Sequence, residues 1–231
     1  EVNEIWVTEN LFSEELLQIL QKGTQKPVYP LPSANSFTPK RNDGVSVLVQ
    51  VMEVGLHANI KVLKEGVLDA VERIAPHVDA VLLGYGLCGN ALAGAEELFK
   101  HVPVPVMLPM DGEVPVDDCV GLIIGGRENY YEEQCRCAGT MFMNAGFSRH
   151  WKRIMSADVP EKLAHKKDLI LKRLMGNYER SLLLPTPVLG EAELKKNIKE
   201  FNDKYYLITD TRQGILDIFE KAWRAAKQLS L

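Results

Sequence analysis

The chain has 231 residues, of which 46% are apolar and 25% are charged, and its formal net charge is −4. These values are typical of a soluble globular protein, and no basic, aromatic-rich stretch favours nucleic acid as a partner. No apolar run approaches the roughly 20 residues of a membrane span, and the acidic N-terminus lacks the features of a signal peptide. We therefore expect a cytoplasmic protein that binds neither nucleic acid nor a membrane.

Short apolar strands alternate with amphipathic helices along the chain. Strands are predicted near 4–8, 45–54, 80–83, 103–110, 140–147, 181–184 and 205–209. Helices are predicted from Ser13 and over 62–75, 90–100, 117–124, 128–135, 148–155, 161–175, 191–202 and 211–228. This alternation predicts an α/β fold with a mostly parallel, doubly wound (Rossmann-like) sheet and helices on both faces. A single domain over 1–231 fits the pattern, and so do two lobes, about 1–125 and 126–231.

A glycine-rich turn that carries a cysteine follows the predicted strand 80–83. Ligands of α/β proteins bind where a parallel strand ends in such a turn. Its glycines would let a ligand or metal approach the backbone, and a helix beginning at Asn90 would favour a thiolate at Cys88. The alternative is a tight turn with a small buried cysteine. The candidate cofactor-binding residues of this turn are Gly84, Tyr85, Gly86, Gly89 and Asn90.

The chain has four cysteines, Cys88, Cys119, Cys135 and Cys137. They are too few for a disulfide scaffold, and in a reducing compartment such a group is more often metal-binding or catalytic. Four thiolates suit either an iron–sulfur cluster, which we favour, or tetrahedral zinc. Their spacing matches no familiar finger or ferredoxin pattern, so four separate buried thiols remain the alternative.

Three further residues are candidates for the surroundings of a metal or for a ligand. His57 follows the predicted strand 45–54, at the sheet edge expected for Cys88, and would be a ligand or a proton carrier. Asp118 precedes Cys119 and would support a metal. The alternative for the pair Asp117-Asp118 is helix capping, which the sequence favours for Asp117. Arg127 would bind a carboxylate or phosphate at the mouth of the site, or else lie on a solvated helix start.

Several of these segments occur in the same order in an uncharacterised family of methanogens and anaerobic bacteria. They are Gly55-Leu56-His57, Leu83 to Asn90, Asp118-Cys119, Gly126-Arg127-Glu128, Gly139-Thr140 and Gly146-Phe147. Over roughly residues 45–215 the chain resembles this family, called domain of unknown function 1638. Genes of the family often lie near those of corrinoid methyltransferases. The resemblance therefore implies a partner that is a corrinoid protein or a methyltransferase, with a corrinoid reached through that partner.

The chain departs from the family pattern at two places. The family usually has His-Asp-Cys where this chain has Asp117-Asp118-Cys119, and it usually lacks the pair Cys135-Arg136-Cys137. If the family site binds a metal, this chain has exchanged a nitrogen ligand for sulfur, and all-thiolate sites suit iron–sulfur clusters, zinc or copper(I).

Three functions are compatible with these patterns. The first is a cysteine-ligated metalloprotein of anaerobic one-carbon or corrinoid-linked metabolism. The second is a non-catalytic accessory module that binds a corrinoid, tetrapyrrole or metal for a methyltransferase. The third is a metal-free enzyme that uses Cys88 as a nucleophile. The partner would be a small molecule or metal in each case, and a homo-oligomer is compatible with all three.

Overall fold

The computed structural model describes residues 1–10, 13–40, 44–53, 56, 59–157 and 159–229. Their contacts group Glu1–Pro109 with the described part of Glu220–Leu231, and Met110–Phe219 form a second compact unit. The sequence left a single domain and two lobes divided near residue 125 as alternatives, and residue 125 lies within Met110–Phe219. Among the described residues, no helix combines the length and the apolar character needed to cross a membrane.

The first unit contains two small parallel sheets. Its larger sheet has the order β2-β1-β3, formed by β1 (Val2–Thr8), β2 (Val28–Leu31) and β3 (Val45–Val49). Strands β4 (Val81–Leu82) and β5 (Val106–Met107) form the other. The helices are α1 (Glu14–Gly23), α2 (Ile60–Ile74) and α3 (Ala95–Leu98). Buried side chains of α2 pack with β4 and the segment after it, in a core that contains Leu63, Val67, Val71, Val81, Leu83 and Leu92.

The second unit begins with an antiparallel hairpin of β6 (Met110–Asp111) and β7 (Val114–Pro115). Its main sheet is parallel and has the order β10-β9-β8, formed by β8 (Thr140–Met143), β9 (Arg180–Leu183) and β10 (Ile208–Thr211). The helices are α4 (Cys119–Ile124), α5 (Arg127–Arg136), α6 (Ala145–Ala157), α7 (Lys167–Leu174) and α8 (Glu191–Tyr205). Helix α9 (Asp217–Gln228) crosses the boundary between the two units.

The mixture of helices and parallel strands confirms the predicted α/β class. The finer prediction, one doubly wound sheet with helices on both faces, is not confirmed, because the described strands pair in three small parallel groups and one hairpin.

Several predicted boundaries are wrong where a residue takes a left-handed backbone conformation. The helix predicted over 90–100 begins only at Ala95, because Asn90 has a φ of 68° and Gly94 a φ of 70°. The strand predicted over 205–209 is displaced to Ile208–Thr211, because α8 continues to Tyr205 and ends at Tyr206 with a φ of 58°. The final helix consequently begins at Asp217 rather than at 211.

A buried ion pair fixes α5 to the amino-terminal edge of the main sheet in the second unit. Glu133 on α5 is 1% exposed, and Arg180, the first residue of β9, is 4% exposed. Arg180 donates hydrogen bonds to the Glu133 carboxylate at 2.7 Å, the Glu133 carbonyl at 2.8 Å, Thr140 at 2.8 Å and Asp210 at 2.8 Å. Arg212 donates to the other Glu133 oxygen at 2.8 Å. The pair is therefore buried with most of its hydrogen-bonding groups satisfied.

The Glu133 carboxylate remains charged because of these arginines. Burial by itself raises the pKa of Glu133, but the hydrogen bonds from Arg212 and Arg180 outweigh burial and hold the pKa below its usual value. A carboxyl group whose pKa falls on folding stabilises the protein above the unfolded pKa, and this contribution is lost as the pH falls through the folded pKa.

Glu133→Ala should lower the free energy of unfolding at pH 7 by about 3 kcal/mol, because Arg180 loses its buried carboxylate and keeps only the partly exposed Asp210 as a partner. Urea denaturation measures this change. Glu132→Ala is the control, since exposed Glu132 pairs with Arg212 at the surface, and its cost should stay within about 1 kcal/mol. The difference in the free energy of unfolding between wild type and Glu133→Ala should become smaller as the pH falls below 4.5, the usual pKa of a glutamate carboxyl group. Equal costs for the two variants would contradict this assignment.

Candidate functional site

Cys88 lies in a strained turn after the carboxyl end of β4. The backbone N–H of Leu83 continues the pairing with β5, and the chain then leaves the sheet. Cys88, Gly89 and Asn90 have φ values of 47°, 66° and 68°, so three successive residues are left-handed. A residue with a Cβ atom costs about 1–2 kcal/mol in this conformation. Such strain in a non-glycine residue is concentrated at functional sites.

The turn does not have the helix terminus that the sequence predicted. Because α3 begins at Ala95 and has four residues, Cys88 does not lie at the start of a helix. Gly84, Gly89 and Asn90 are exposed, whereas Gly86 is buried. A side chain added at Gly84 or Gly89 would meet no atom within 4 Å, so a ligand has open access to the backbone there.

Tyr85 is the titratable neighbour of Cys88. Burial, and to a smaller extent the charge of Cys88, raise the pKa of Tyr85 to about 12. Tyr85 therefore keeps its proton at neutral pH and can donate a hydrogen bond. Tyr85, Leu87 and Cys88 all pack against the core of the first unit, which fixes the position of the turn.

Cys119 lies at the corresponding edge of the second unit. It is the first residue of α4, and the side-chain amide of Asn144 donates a hydrogen bond to its Sγ at 3.4 Å. Asn144 directly follows β8 and also accepts a hydrogen bond from the Phe147 N–H at 2.8 Å, so it caps α6. This arrangement holds an exposed sulfur at the carboxyl end of a parallel strand.

Asp118 has a structural role that the sequence offered as an alternative. Its Oδ1 accepts hydrogen bonds from the N–H groups of Val120 at 2.9 Å and Gly121 at 2.8 Å, so Asp118 caps α4. His57, the other predicted supporting residue, lies outside the described residues.

A cavity of about 110 Å³ lies beside α4, α5 and the β6–β7 hairpin of the second unit. The Arg127 guanidinium donates to both carboxylate oxygens of Asp117, at 3.1 and 3.0 Å. The backbone N–H of Arg127 donates to Asp111 at 2.7 Å. An anionic ligand of Arg127 would therefore have to displace Asp117 or share the guanidinium with it through the remaining N–H groups. The residues that line the cavity are Asp111, Pro115, Val116, Asp117, Asp118, Gly121, Arg127, Tyr130 and Tyr131.

Cys135 and Cys137 lie elsewhere in the second unit. Cys135 is exposed near the end of α5, and Cys137 ends that helix. Thr140 at the start of β8 donates a hydrogen bond to the Cys137 carbonyl, whereas Cys119 meets Asn144 beyond the other end of this strand. At about 3.3 Å per residue, the four steps from Thr140 to Asn144 span about 13 Å. The structure therefore does not bring Cys119 and Cys137 together.

The cysteines do not form a recognisable metal centre in the part of the chain that the structure describes. All four are thiols rather than disulfides. No group of three or more described His, Cys, Asp or Glu residues is arranged to hold a metal ion. Cys88 belongs to the first unit, and Cys119, Cys135 and Cys137 to the second.

Sequence reasoning missed two residues that the structure places at these sites. Asn144 positions Cys119, and Asp111 approaches the backbone of Arg127 and Gly126, where a Cβ atom would lie only 2.7 Å from the Asp111 carboxylate. Asn144 had a detectable signal, because asparagine between a strand and an amphipathic helix is a favoured N-cap. Asp111 had none, because its role depends on the fold of the hairpin.

The fold and the site define an α/β protein with a cysteine at the carboxyl edge of a parallel sheet in each of its two units. The sequence model of one family, described as protein of unknown function (DUF1638), matches residues 51–223. The chain belongs to this family, as its sequence motifs predicted. No curated protein and no solved structure matches the chain.

The strain at Cys88 can be measured by comparing two substitutions. Cys88→Gly should be more stable than Cys88→Ala by about 1 kcal/mol, because glycine adopts a positive φ without a Cβ clash. The matched control is Cys135 inside α5, where glycine should instead be less stable than alanine by about 1 kcal/mol. Urea denaturation of the four variants gives both differences. The same sign at both positions would contradict a left-handed Cys88.

Proposed function

We propose that this chain is a thiol-dependent enzyme that acts on a small molecule, with Cys88 as its nucleophile. The observation that carries the proposal is the left-handed backbone of Cys88 at the carboxyl end of β4. Holding a cysteine in this conformation costs free energy, and evolution retains such strain most readily where it positions a reacting group. The exposed glycines beside Cys88 leave its backbone open to a substrate.

Tyr85 would assist Cys88 as a proton donor. The thiolate is the reactive form of cysteine, and a neighbouring phenol that keeps its proton can donate a hydrogen bond to it. The raised pKa of Tyr85 means that this proton is present at neutral pH. In the reaction the Cys88 thiolate would attack an electrophilic carbon of the substrate, and the bond from that carbon to its leaving group would break. The leaving group would depart with the bonding electron pair and take up a proton, and the rest of the substrate would remain bound to the Cys88 sulfur as a covalent intermediate.

Alkylation with iodoacetamide, resolved for each cysteine by peptide mass spectrometry, tests this pair. Tyr85→Phe should slow alkylation of Cys88 about fivefold at pH 7, the effect of one net hydrogen bond of about 1 kcal/mol. Tyr206→Phe is the control, because Tyr206 is 87% exposed, and it should leave the rate unchanged. Alkylation of Cys135, which is exposed on α5, reports whether either variant is unfolded. An unchanged Cys88 rate in Tyr85→Phe would overturn the proposed role of Tyr85.

A cysteine-ligated metalloprotein, with an iron–sulfur cluster or zinc, is the second candidate. One observation favours a site with fewer protein ligands than the sequence suggested. Cys119 lies beside Asn144, which follows the carboxyl end of β8, and α/β proteins bind ligands at such strand ends. Cys137 lies at the amino end of β8 instead. We therefore propose that a metal bound by the second unit would use Cys119, and that Cys135 and Cys137 are not ligands.

Metal and acid-labile sulfide analysis of protein purified without oxygen distinguishes the two candidates. For a metalloprotein, Cys119→Ser should abolish metal retention, and the double variant Cys135→Ser/Cys137→Ser should retain it. Loss of metal in the double variant would restore the four-thiolate centre predicted from the sequence. Folded protein without metal that still shows Tyr85-dependent alkylation of Cys88 would favour the thiol enzyme over the metalloprotein.

The remaining proposals rest on the family resemblance rather than on geometry. They are a place in anaerobic one-carbon or corrinoid-linked metabolism, and a corrinoid protein or methyltransferase as partner. A cytoplasmic location is also a proposal, and it rests on the composition of the sequence instead. A non-catalytic accessory module would share the same partner but would transfer no group from Cys88. A doubly wound arrangement of the parallel strands is likewise a proposal, and the α/β class supports it.

A further inference from the structure

One face of the larger sheet in the first unit carries a cluster of aromatic rings. Trp6 on β1 and Tyr29 on β2 are paired neighbours in the parallel sheet, and their ring centroids are 4.7 Å apart. Phe37 meets Trp6 edge-on at 6.0 Å, from the segment that precedes β3. Trp6 is 8% exposed, whereas Tyr29 and Phe37 are half-buried, so the cluster is anchored in the sheet and open on one side.

A lysine of the same chain places its ammonium group over these rings. The Nζ atom of Lys40 lies 3.6 Å from the centroid of Tyr29 and 5.1 Å from that of Trp6. Both distances are within the range in which an aromatic face attracts a cation. The rings therefore already hold one ammonium group, and its side chain belongs to an exposed residue.

A buried carboxylate supplies the opposite charge. Glu4 is 2% exposed, and one of its oxygens accepts hydrogen bonds from the backbone N–H of Lys40 and from the Ser46 hydroxyl, both at 2.8 Å. Burial raises the pKa of Glu4, but the hydrogen bonds from Ser46 and Lys40 outweigh burial and keep it below its usual value. Glu4 is thus ionised at neutral pH and lies two residues from Trp6 on β1.

We propose that Trp6, Tyr29 and Glu4 form a binding site for a methylated ammonium group, which Lys40 occupies when no ligand is bound. Aromatic faces beside a carboxylate are the groups that recognise quaternary ammonium ions. A methylated ammonium sheds its hydration more readily than the strongly hydrated ammonium of lysine. The site is independent of Cys88 and of the function proposed for it.

Displacement of Lys40 requires a movement of its side chain alone. Its backbone N–H is fixed to Glu4, but its four-carbon stem is flexible and its ammonium group gains full hydration when it leaves. The attraction of a single cation to aromatic rings is weak enough for a ligand to overcome. Lys40 therefore competes reversibly with a ligand for the faces of Trp6 and Tyr29.

The first experiment measures binding of tetramethylammonium chloride by calorimetry and by saturation-transfer NMR, at constant ionic strength set with sodium chloride. Lys40→Ala should bind tetramethylammonium at least about tenfold more tightly than wild type, the equivalent of removing about 1.4 kcal/mol of competition. Lys64→Ala is the control, because Lys64 is an exposed lysine on α2, and it should bind as wild type does. Equal affinity of Lys40→Ala and Lys64→Ala would overturn the proposal.

A second measurement separates cation recognition from apolar contact without a risk to folding. The Lys40→Ala variant is titrated with 3,3-dimethylbutanol, the uncharged counterpart of choline, and with choline itself. Choline should bind at least about tenfold more tightly, because only the cation gains from the ring faces and the Glu4 charge. Equal binding of the two compounds would show an apolar patch instead and would also overturn the proposal. Neither result bears on alkylation of Cys88.

Discussion

The second unit depends on one buried ion pair, between Glu133 and Arg180. Because an unpartnered charge in this position costs several kcal/mol, α5 can dock on the sheet only where carboxylate and guanidinium meet. Arg180 begins the central strand β9, so the polar anchor lies at the amino-terminal edge of the sheet. Asn144 and the Cys119 thiol lie at the opposite, carboxyl-terminal edge of this sheet.

The two units hold their cysteines at strand ends by different physical means. In the first unit the backbone of Cys88 is strained, and Tyr85 stays protonated beside it. In the second unit, a side-chain hydrogen bond from Asn144 orients Cys119, and Cys119 does not have a positive φ. Backbone strain of this kind is concentrated at active sites, whereas a hydrogen bond to an exposed sulfur atom carries no such cost, which is why we propose Cys88 as the nucleophile.

Much of the fold was predictable wherever a local pattern decides the structure. Helix α2 follows from the helical spacing of Leu63, Val67 and Val71, all of which are buried. The helix predicted at Asn90 was wrong, because three left-handed residues delay its start and no apolar periodicity reports a backbone angle. The shared four-cysteine site was predicted from the number and the chemistry of the thiols, and neither specifies that Cys119 and Cys137 lie near opposite ends of β8.

The sequence by itself determined the α/β class, the family and the glycine-rich turn that carries Cys88, since periodicity, composition and short motifs are local properties of the chain. Only the tertiary structure decided that Asp117 occupies the Arg127 guanidinium, that Asn144 reaches Cys119, and that Lys40 covers Tyr29. These pairs join side chains from different elements. Their distances depend on how strands and helices pack, which no local pattern specifies.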